Sequence, residues 1–263
     1  MPLYTADALI LRTHKLGEAD RIVVFLTRDR GKKRGVAKGA RRSRSRFAGA
    51  LEPMTEARVA YFEKERRELV GLNYAEPVRS PLVLLGLAGS RTSSGPAKAG
   101  GSVRGPAEAG HYGRDAGPAE AGHYVREDRV APDYSALGYV GYFAELLDEW
   151  AQEADADERL YRLGTSMLGA LELGAPVEPL ARYFEYWLLR LQGVYPEARG
   201  TLSHRAMSFL TVSRTISPDR IGDVPADRRT LKELERLHRG LITMHLDKTL
   251  RSERVLRHLS RDR

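Results

Sequence analysis

Thr55-Glu-Ala-Arg-Val-Ala-Tyr-Phe62 alternates between apolar and polar residues over most of its length. In an extended chain Ala57, Val59 and Tyr61 lie on one side, and the charged residues Glu56 and Arg58 lie on the other. The stretch therefore predicts a half-buried β-strand. Three more stretches before residue 79 alternate in the same way or are rich in β-branched and aromatic residues. They are Ala6–Arg12, Arg21–Thr27 and Glu68–Tyr74.

The turns between these stretches complete the pattern of a small β-domain. Leu16-Gly-Glu18 and Asp29-Arg-Gly31 supply turn residues, and Gly31–Lys38 is long enough for one further short strand. Five short strands in fewer than 80 residues are typical of a small barrel. The OB-fold is such a barrel, and it is well suited to binding oligonucleotides. Residues 1–80 are accordingly predicted to form an OB-fold domain that binds nucleic acid.

From Pro132 onward the apolar residues recur with the period of a helix. Each stripe is read as core, and a capping-box pattern at Thr230 and Glu233 predicts the start of the last long helix. The sequence therefore predicts an α+β protein of several domains, with an all-α domain of five or six helices at residues 131–263. The stripes are Val140/Phe143/Leu147/Trp150, Leu160/Leu163/Met167/Leu171, Leu180/Phe184/Trp187/Leu191 and Leu231/Leu234/Leu237/Leu241/Met244.

Residues 89–130 differ in composition from both neighbours. Gly105–Tyr112 recurs identically as Gly117–Tyr124, within a stretch rich in Gly, Pro, Ala and Ser. So few apolar residues cannot offset the entropy of ordering the chain. The stretch is predicted to be a flexible insertion at the domain junction, and its paired His-Tyr dipeptides are attributed to duplication of a short unit.

The composition excludes several classes of protein. No apolar run reaches the roughly 20 residues that span a bilayer, and the first residues lack the pattern of a signal peptide, so we expect a cytoplasmic protein without a membrane partner. The absence of cysteine excludes disulfides, thiolate zinc sites and cysteine nucleophiles.

The positive charge is concentrated near the start of the chain. The net charge is +8, yet residues 1–50 alone hold 13 Lys and Arg against 4 Asp and Glu. Such crowding costs free energy through self-repulsion unless a polyanion is the usual neighbour, which points to nucleic acid. The alternative is a solvated loop that only keeps the protein soluble. Ten cations in the segment 28–46 are predicted to contact phosphates: Arg28, Arg30, Lys32, Lys33, Arg34, Lys38, Arg41, Arg42, Arg44 and Arg46. Phe47 follows directly and is a candidate for base stacking or, equally, for core packing.

No pattern of residues indicates an active site. Phosphate-loop, zinc-protease and nucleophile-elbow motifs are absent from the sequence. His238 and His245 share a helical face but have no carboxylate at ligand spacing, so they are interpreted as solvated or helix-flanking. Glu145, Asp148 and Glu149 are interpreted as a solvated helix face. We predict no catalytic residue, no metal and no cofactor, and therefore a protein that is not an enzyme.

Several motifs, taken in order along the chain, resemble the RecO family of bacterial recombination mediators. The first five fall in the strand region and the last three in the helical region. They are Thr5-Ala-Asp-Ala-Leu-Ile-Leu-Arg12, Lys15-Leu-Gly-Glu-Ala-Asp-Arg21, Phe25-Leu-Thr-Arg-Asp-Arg-Gly31, Ala37-Lys-Gly-Ala-Arg-Arg-Ser43, Leu51-Glu-Pro-Met54, Tyr139–Glu149, Arg182–Tyr195 and Leu250-Arg-Ser-Glu-Arg-Val-Leu256.

The resemblance implies an OB-fold followed by a helical domain, and binding to single- and double-stranded DNA in DNA repair near the nucleoid. It also implies annealing of complementary strands, and loading of RecA with RecR onto strands coated by single-strand-binding protein. Arg182 and Arg190 are candidate contacts for the acidic tail of that protein. Many family members carry a four-cysteine zinc module, which this chain lacks.

Two alternatives stay open at this level. A basic barrel fits an RNA-binding OB module without annealing or mediator activity equally well, because phosphate contacts carry no sequence information. A metal-dependent nuclease would need clustered carboxylates, and residues 1–50 contain only four acidic residues without a motif.

Overall fold

A computed structural model describes residues 2–63, 68–84, 134–196 and 202–259. Its first part is a closed barrel in the strand order β1-β2-β3-β5-β4. All neighbouring strands are antiparallel except β3 and β5, which are parallel. The predicted five-stranded OB-type barrel is confirmed. The strands are β1 Leu3–Leu16, β2 Asp20–Thr27, β3 Gly31–Ala37, β4 Glu56–Phe62 and β5 Val70–Arg79.

The inside of the barrel follows the alternation of β4. Ala57, Val59 and Tyr61 are fully buried in the barrel core, whereas Arg58 is exposed. The rings of Tyr61 and Phe25 meet edge to face with 5.7 Å between their centroids. The predicted two-faced strand is therefore confirmed.

The second part of the chain is helical. The predicted apolar stripes supply most of its core, whereas in the last stripe Leu237 is half-buried outside that core and Met244 is 80% exposed. A helical domain after the barrel is confirmed. The helices are α1 Pro81–Leu84, α2 Tyr134–Trp150, α3 Glu158–Glu172, α4 Val177–Leu191, α5 His204–Ser213, α6 Arg228–Leu246 and α7 Arg251–Leu259, with a 3₁₀ helix at Pro218–Asp223.

The barrel and the helices share a hydrophobic core. Leu9, Leu11, Val24 and Leu26 point outward from β1 and β2 and join the core of the helical part. The middle of the β1–β2 hairpin is thus buried on both faces, which explains its continuous apolar runs. At Gly164 of α3 a Cβ atom would lie 2.6 Å from the side chain of Leu9, so the two parts approach closely.

One predicted helix start was wrong. The side chain of Asp227, not Thr230, caps α6 by accepting a hydrogen bond of 2.8 Å from the Thr230 amide. Glu233 instead accepts hydrogen bonds from the amide and hydroxyl of Ser203, the N-cap residue of α5. The carboxylate predicted to close a capping box therefore ties α6 to α5.

The predicted insertion at residues 89–130 lies outside the described residues. The boundaries at residues 80 and 131 likewise stay predictions. Among the helices that the structure describes, none is long and apolar enough to cross a membrane.

Candidate nucleic-acid interface

The segment that follows β3 carries the most exposed positive charge of the barrel. We call residues 38–46 the basic loop. Its shape is fixed by the turn between β1 and β2: the Arg41 amide donates to the carbonyl of Ala19 at 2.9 Å, and the Gly39 amide donates to Asp20 Oδ1 at 2.8 Å. The Arg41 guanidinium also donates to the Glu18 carbonyl at 2.7 Å. The loop is therefore bonded to the barrel rather than free of it.

Phe47 anchors the basic loop to the barrel core. Its side chain is 2% exposed and packs in the same core as Ala50 and Leu51. The guanidinium of Arg46 lies 5.2 Å from the centre of the ring. This burial favours core packing over base stacking for Phe47, since the side chain forms an apolar anchor where the loop returns toward β4.

Exposed cations of the basic loop have no acidic partner in the described part of the chain. This group comprises five side chains, and Arg34 on β3 is half-buried and likewise has no carboxylate within ion-pair distance among the described residues. Five uncompensated charges within nine residues give this end of the barrel a positive field that attracts phosphate. The five are Lys38, Arg41, Arg42, Arg44 and Arg46.

Other cations predicted to contact phosphate have partners within the protein. The hydrogen bond from Arg28 to Glu158 of α3 raises the pKa of the guanidinium. Lys33 pairs with Glu63 at 2.8 Å. Arg30 lies over the ring of Tyr4, 4.2 Å from its centre, and 3.6 Å from the carboxylate of Asp29.

Lys32 joins the barrel to α2. Its ammonium group donates to the Asp148 carbonyl at 2.6 Å and lies 3.4 Å from the Asp148 carboxylate. Arg12 of β1 lies 2.6 Å from the same carboxylate, which is almost completely buried. The start of β3 is therefore held by ion pairs, while its other end leads into the uncompensated basic loop.

The acidic residues of α2 are structural rather than a solvated face, so that interpretation was wrong. Burial alone would raise the pKa of Glu145, but hydrogen bonds from the hydroxyl and amide of Ser252 and the amide of Arg251 lower it. Glu149 pairs with Lys248. These carboxylates lie where α2 meets the start of α7.

Strand pairing brings two further cations, which were not predicted from the sequence, next to the basic loop. Lys15 pairs with Arg21, and Arg21 pairs with Ala37, so both lie in the strand row that precedes the basic loop. Arg21 donates to the Thr13 hydroxyl at 3.2 Å, whereas Lys15 is exposed. Only the hairpin register brings these residues to the loop, and the linear spacing carries no signal of it.

The two arginines predicted to contact a partner tail do not lie together. Arg182 is 5% exposed and lies 2.9 Å from the carboxylate of Glu185. It forms part of the wall of a cleft of about 310 Å³ between α2, α4, α6 and α7. Arg182 therefore lies in the wall of this cleft and not on an exposed rim, and its contact with a partner tail stays a prediction. Arg190 is exposed and donates to the Tyr186 hydroxyl at 2.9 Å.

His238 is completely buried, so its interpretation as a solvated or helix-flanking residue was wrong. Its Nδ1 lies 2.9 Å from Glu185, which also accepts a hydrogen bond from the Tyr142 hydroxyl at 2.8 Å. Burial lowers the pKa of His238. Burial would raise the pKa of Glu185, but the charge of Arg182 and the bonds from His238 and Tyr142 lower it.

His245 is exposed and stacks on the ring of Trp150 at 5.6 Å, as expected for a helix-flanking residue. Within the residues that the structure describes, no three metal-binding side chains come together. Because the chain contains no cysteine, its residues also do not fit the four-thiolate zinc module of the family that it resembles.

Comparison with known proteins gives the same name for both parts of the chain. Residues 1–81 match the family model described as recombination protein O, N terminal, and residues 131–200 match that of recombination protein O, C terminal. A DNA repair protein RecO of Koribacter versatilis is 32% identical over 195 residues, which are 74% of this chain and 61% of the relative.

Two further relatives carry the same printed name. The protein of Anaeromyxobacter sp. strain K is 30% identical over 72% of this chain and 56% of its own length. The protein of Bifidobacterium adolescentis is 55% identical over 78 residues, which are 30% of this chain and 31% of the relative. The matches span less than two thirds of the length of each relative.

Proposed function

Because this chain belongs to the RecO family, we propose that it is a DNA-binding recombination mediator in DNA repair that anneals complementary single strands. The observation that carries the proposal is the basic loop, with five exposed cations that have no carboxylate partner among the described residues. Contacts of all five with phosphates would give log K against log salt a slope of about −3.5 on single strands and about −4.5 on duplex.

Neutralisation of phosphate charge accounts for annealing. Two complementary strands repel each other through their phosphates, and a cationic surface that binds both lowers this barrier. Four of the five loop cations are arginine, whose guanidinium grips phosphate in a bidentate way. Because the bases are not held, they stay free to pair. The mechanism uses binding free energy alone, so we expect no requirement for nucleotide hydrolysis.

The partners form the second part of the proposal. We infer that the chain acts in the cytoplasm on DNA, with RecR, on strands coated by single-strand-binding protein, and thereby supports loading of RecA. For the acidic tail of single-strand-binding protein, Arg190 stays a candidate on the surface. Arg182 is a candidate only from within its cleft, where its Nη1 has no hydrogen-bond partner among the described residues.

Annealing of complementary oligonucleotides across a salt series tests the proposal. The informative variant replaces Lys38, Arg42 and Arg44 with Ala, and keeps Arg41 because its side chain holds the loop. We expect the salt slope of single-strand binding to become shallower by about 2, at about 0.7 per lost contact, with slower annealing at unchanged far-UV circular dichroism. Unchanged affinity and slope in this variant would contradict the assignment.

The matched control removes the same charge elsewhere. Arg159, Arg162 and Arg214 are exposed on the helical part, and their triple Ala variant lowers the net charge equally. We expect it to retain annealing and most of the salt slope. A preference for RNA over DNA in competition, without acceleration of annealing, would instead favour the RNA-binding module.

A further inference from the structure

A second run of cations without a close ion pair among the described residues lies on α6, far from the basic loop in sequence. Arg228, Lys232 and Arg236 follow one another at intervals of four residues, and Arg229 lies beside them. All four are exposed, and none is within ion-pair distance of a carboxylate in the parts of the chain described. We call Arg228, Lys232 and Arg236 the α6 row.

Like charges four residues apart on a helix repel each other, and Glu233 and Glu235, three residues from Arg236 and Lys232, offset only part of this repulsion. Elsewhere this spacing of four residues joins opposite charges: Glu235 pairs with Arg239 on α6, and Glu253 pairs with Arg257 on α7. Of the acids near the row, Asp227 bonds to Arg205 and to the Thr230 amide. Hydrogen bonds from Ser203 lower the pKa of Glu233, and the nearby charges of Arg236 and Arg229 lower it further, so this carboxylate offsets part of the positive charge at one end of the row.

The row follows an exposed ridge between two depressions. Arg236 borders a groove of about 1130 Å³ between α5 and α6, which Asp227 and Glu233 also line. Arg228 and Lys232 border the cleft of about 310 Å³ on the other side of α6. A ridge of regularly spaced cations fits an extended phosphate backbone better than a compact acidic group, which would need the cations to converge on one point.

Charge along the chain supports the same partner. Residues 134–196 hold ten Asp and Glu against four Lys and Arg, whereas residues 228–259 hold four against nine. The near-neutral sum of the chain after residue 50 therefore hides an acidic part and a basic part. The basic part ends in α7, which packs against α2.

The row and the basic loop lie on different sides of the junction between barrel and helices. Trp150 and His245 stack, and Tyr142 and His238 share Glu185, so α2 and α6 run in the same direction toward that junction. Measured along α6 from His245, Arg236 lies about 14 Å away and Arg228 about 25 Å away. The basic loop begins about 20 Å from Lys32 along β3.

We propose that the protein holds two nucleic-acid segments at once, one on the basic loop and one on the α6 row. The inference rests on the proposed function, because it takes the basic loop as the first DNA site. With two sites on one chain, one strand stays bound to the basic loop while a second strand is bound to the α6 row, so both are on the same protein molecule when they pair.

A bead-capture experiment tests this. A biotinylated oligo-dT is immobilised, the 263-residue chain is bound and unbound protein is washed away. A fluorescent oligo-dT is then added, because identical homopolymers cannot anneal. We expect wild-type protein to retain the second oligonucleotide. A triple Ala variant of the α6 row should bind the first within about twofold and retain at least fivefold less of the second. The Arg159/Arg162/Arg214 control should behave like wild type.

The outcomes separate the two proposals. If wild-type protein does not bind the first oligonucleotide, the proposed DNA function fails. If the row variant binds, anneals and captures the second oligonucleotide normally, the second site is wrong, and bridging between protein copies would explain capture. Because Arg228 and Lys232 also border the cleft, binding of a glutamate-rich peptide is measured in parallel. Loss of peptide binding with intact capture would assign the row to a protein partner and overturn the proposal.

Discussion

The two ends of β3 carry similar charge and have opposite roles. At its start, Lys32 meets the buried carboxylate of Asp148 and Lys33 meets Glu63, so these ammonium groups hold the structure together. Beyond its end, Lys38 and the arginines of the basic loop meet no carboxylate in the described part of the chain. A continuous basic segment is therefore divided by acids that approach from distant parts of the chain, and only the uncompensated portion is available to a polyanion.

The largest effect that sharpens this comparison is expected at the anchor of the loop. Phe47→Ala should lower the free energy of unfolding by about 3–5 kcal/mol, because a large side chain leaves the barrel core. The basic loop should loosen, and annealing should fall with stability. Urea unfolding and annealing rates measured on the same preparation provide the check.

A comparison with Phe47→Leu separates anchoring from stacking. Leucine keeps most of the buried volume but offers no aromatic face. We expect this variant to anneal normally and to lose much less stability than Phe47→Ala. Full stability combined with weakened single-strand binding would show that the ring contacts bases after all.

The next largest effect is expected at the paired end of β3. Asp148→Ala should lower the free energy of unfolding by about 2–3 kcal/mol, less than a fully buried pair would lose, because the Arg12 side chain is 40% exposed. Salt-dependent DNA binding at temperatures where the variant is folded should stay unchanged. Urea unfolding and fluorescence-anisotropy titrations measure the two quantities.

Asp29→Ala serves as the control for this variant, because Asp29 is exposed and its ion pair with Arg30, at 3.6 Å, lies on the surface. It should leave both unfolding and DNA binding almost unchanged. An increase in DNA affinity after removal of Asp148 would break the comparison, since Lys32 would then be a phosphate ligand held back by its acid.

The smallest effect concerns the buried network inside the helices. Burial keeps the pKa of His238 below its ordinary value of 6.5, so the unfolded chain binds more protons than the folded one as pH falls below 6.5. Stability from this group is fully present above pH 6.5 and is lost as pH falls through the folded pKa. Urea unfolding at pH 8 and at pH 5.5 should show the decrease.

His238→Gln should remove part of this pH dependence, because glutamine does not titrate. The exposed His14→Gln variant should keep it. The groups around His238 are Glu185 and Arg182 on α4 and the ring of Tyr195. A stability that is equal at the two pH values in the wild type would show that His238 titrates as in the unfolded chain.

Local patterns were sufficient for much of the fold and for the position of the candidate site. The alternation in β4 placed Tyr61 inside the barrel, and the helical stripes named core residues such as Phe143 and Phe184. Both patterns can be recognised in the sequence because the burial of these residues follows the period of the strand or helix to which they belong. The basic segment was equally visible because its cations are adjacent in sequence.

Errors arose where one element meets another. Asp148 and His238 looked like solvated residues, since a helical stripe marks apolar positions and says nothing about a polar side chain that pairs with a different element. Glu233 matched a capping box but bonds to Ser203 of another helix. In each case the side chain is stabilised by a partner on a different element, and the sequence of its own element does not indicate that partner.

The sequence by itself determined the two kinds of architecture, their order and the concentration of charge near the start of the chain. These properties follow from composition and period, which are local. Only the tertiary structure decided which cations pair with a carboxylate of the protein and which stay unpaired among the described residues. It also decided that Lys15 lies beside the basic loop and that Phe47 is buried under it. Those outcomes depend on which carboxylates and apolar surfaces approach from elsewhere, and only folding brings them together.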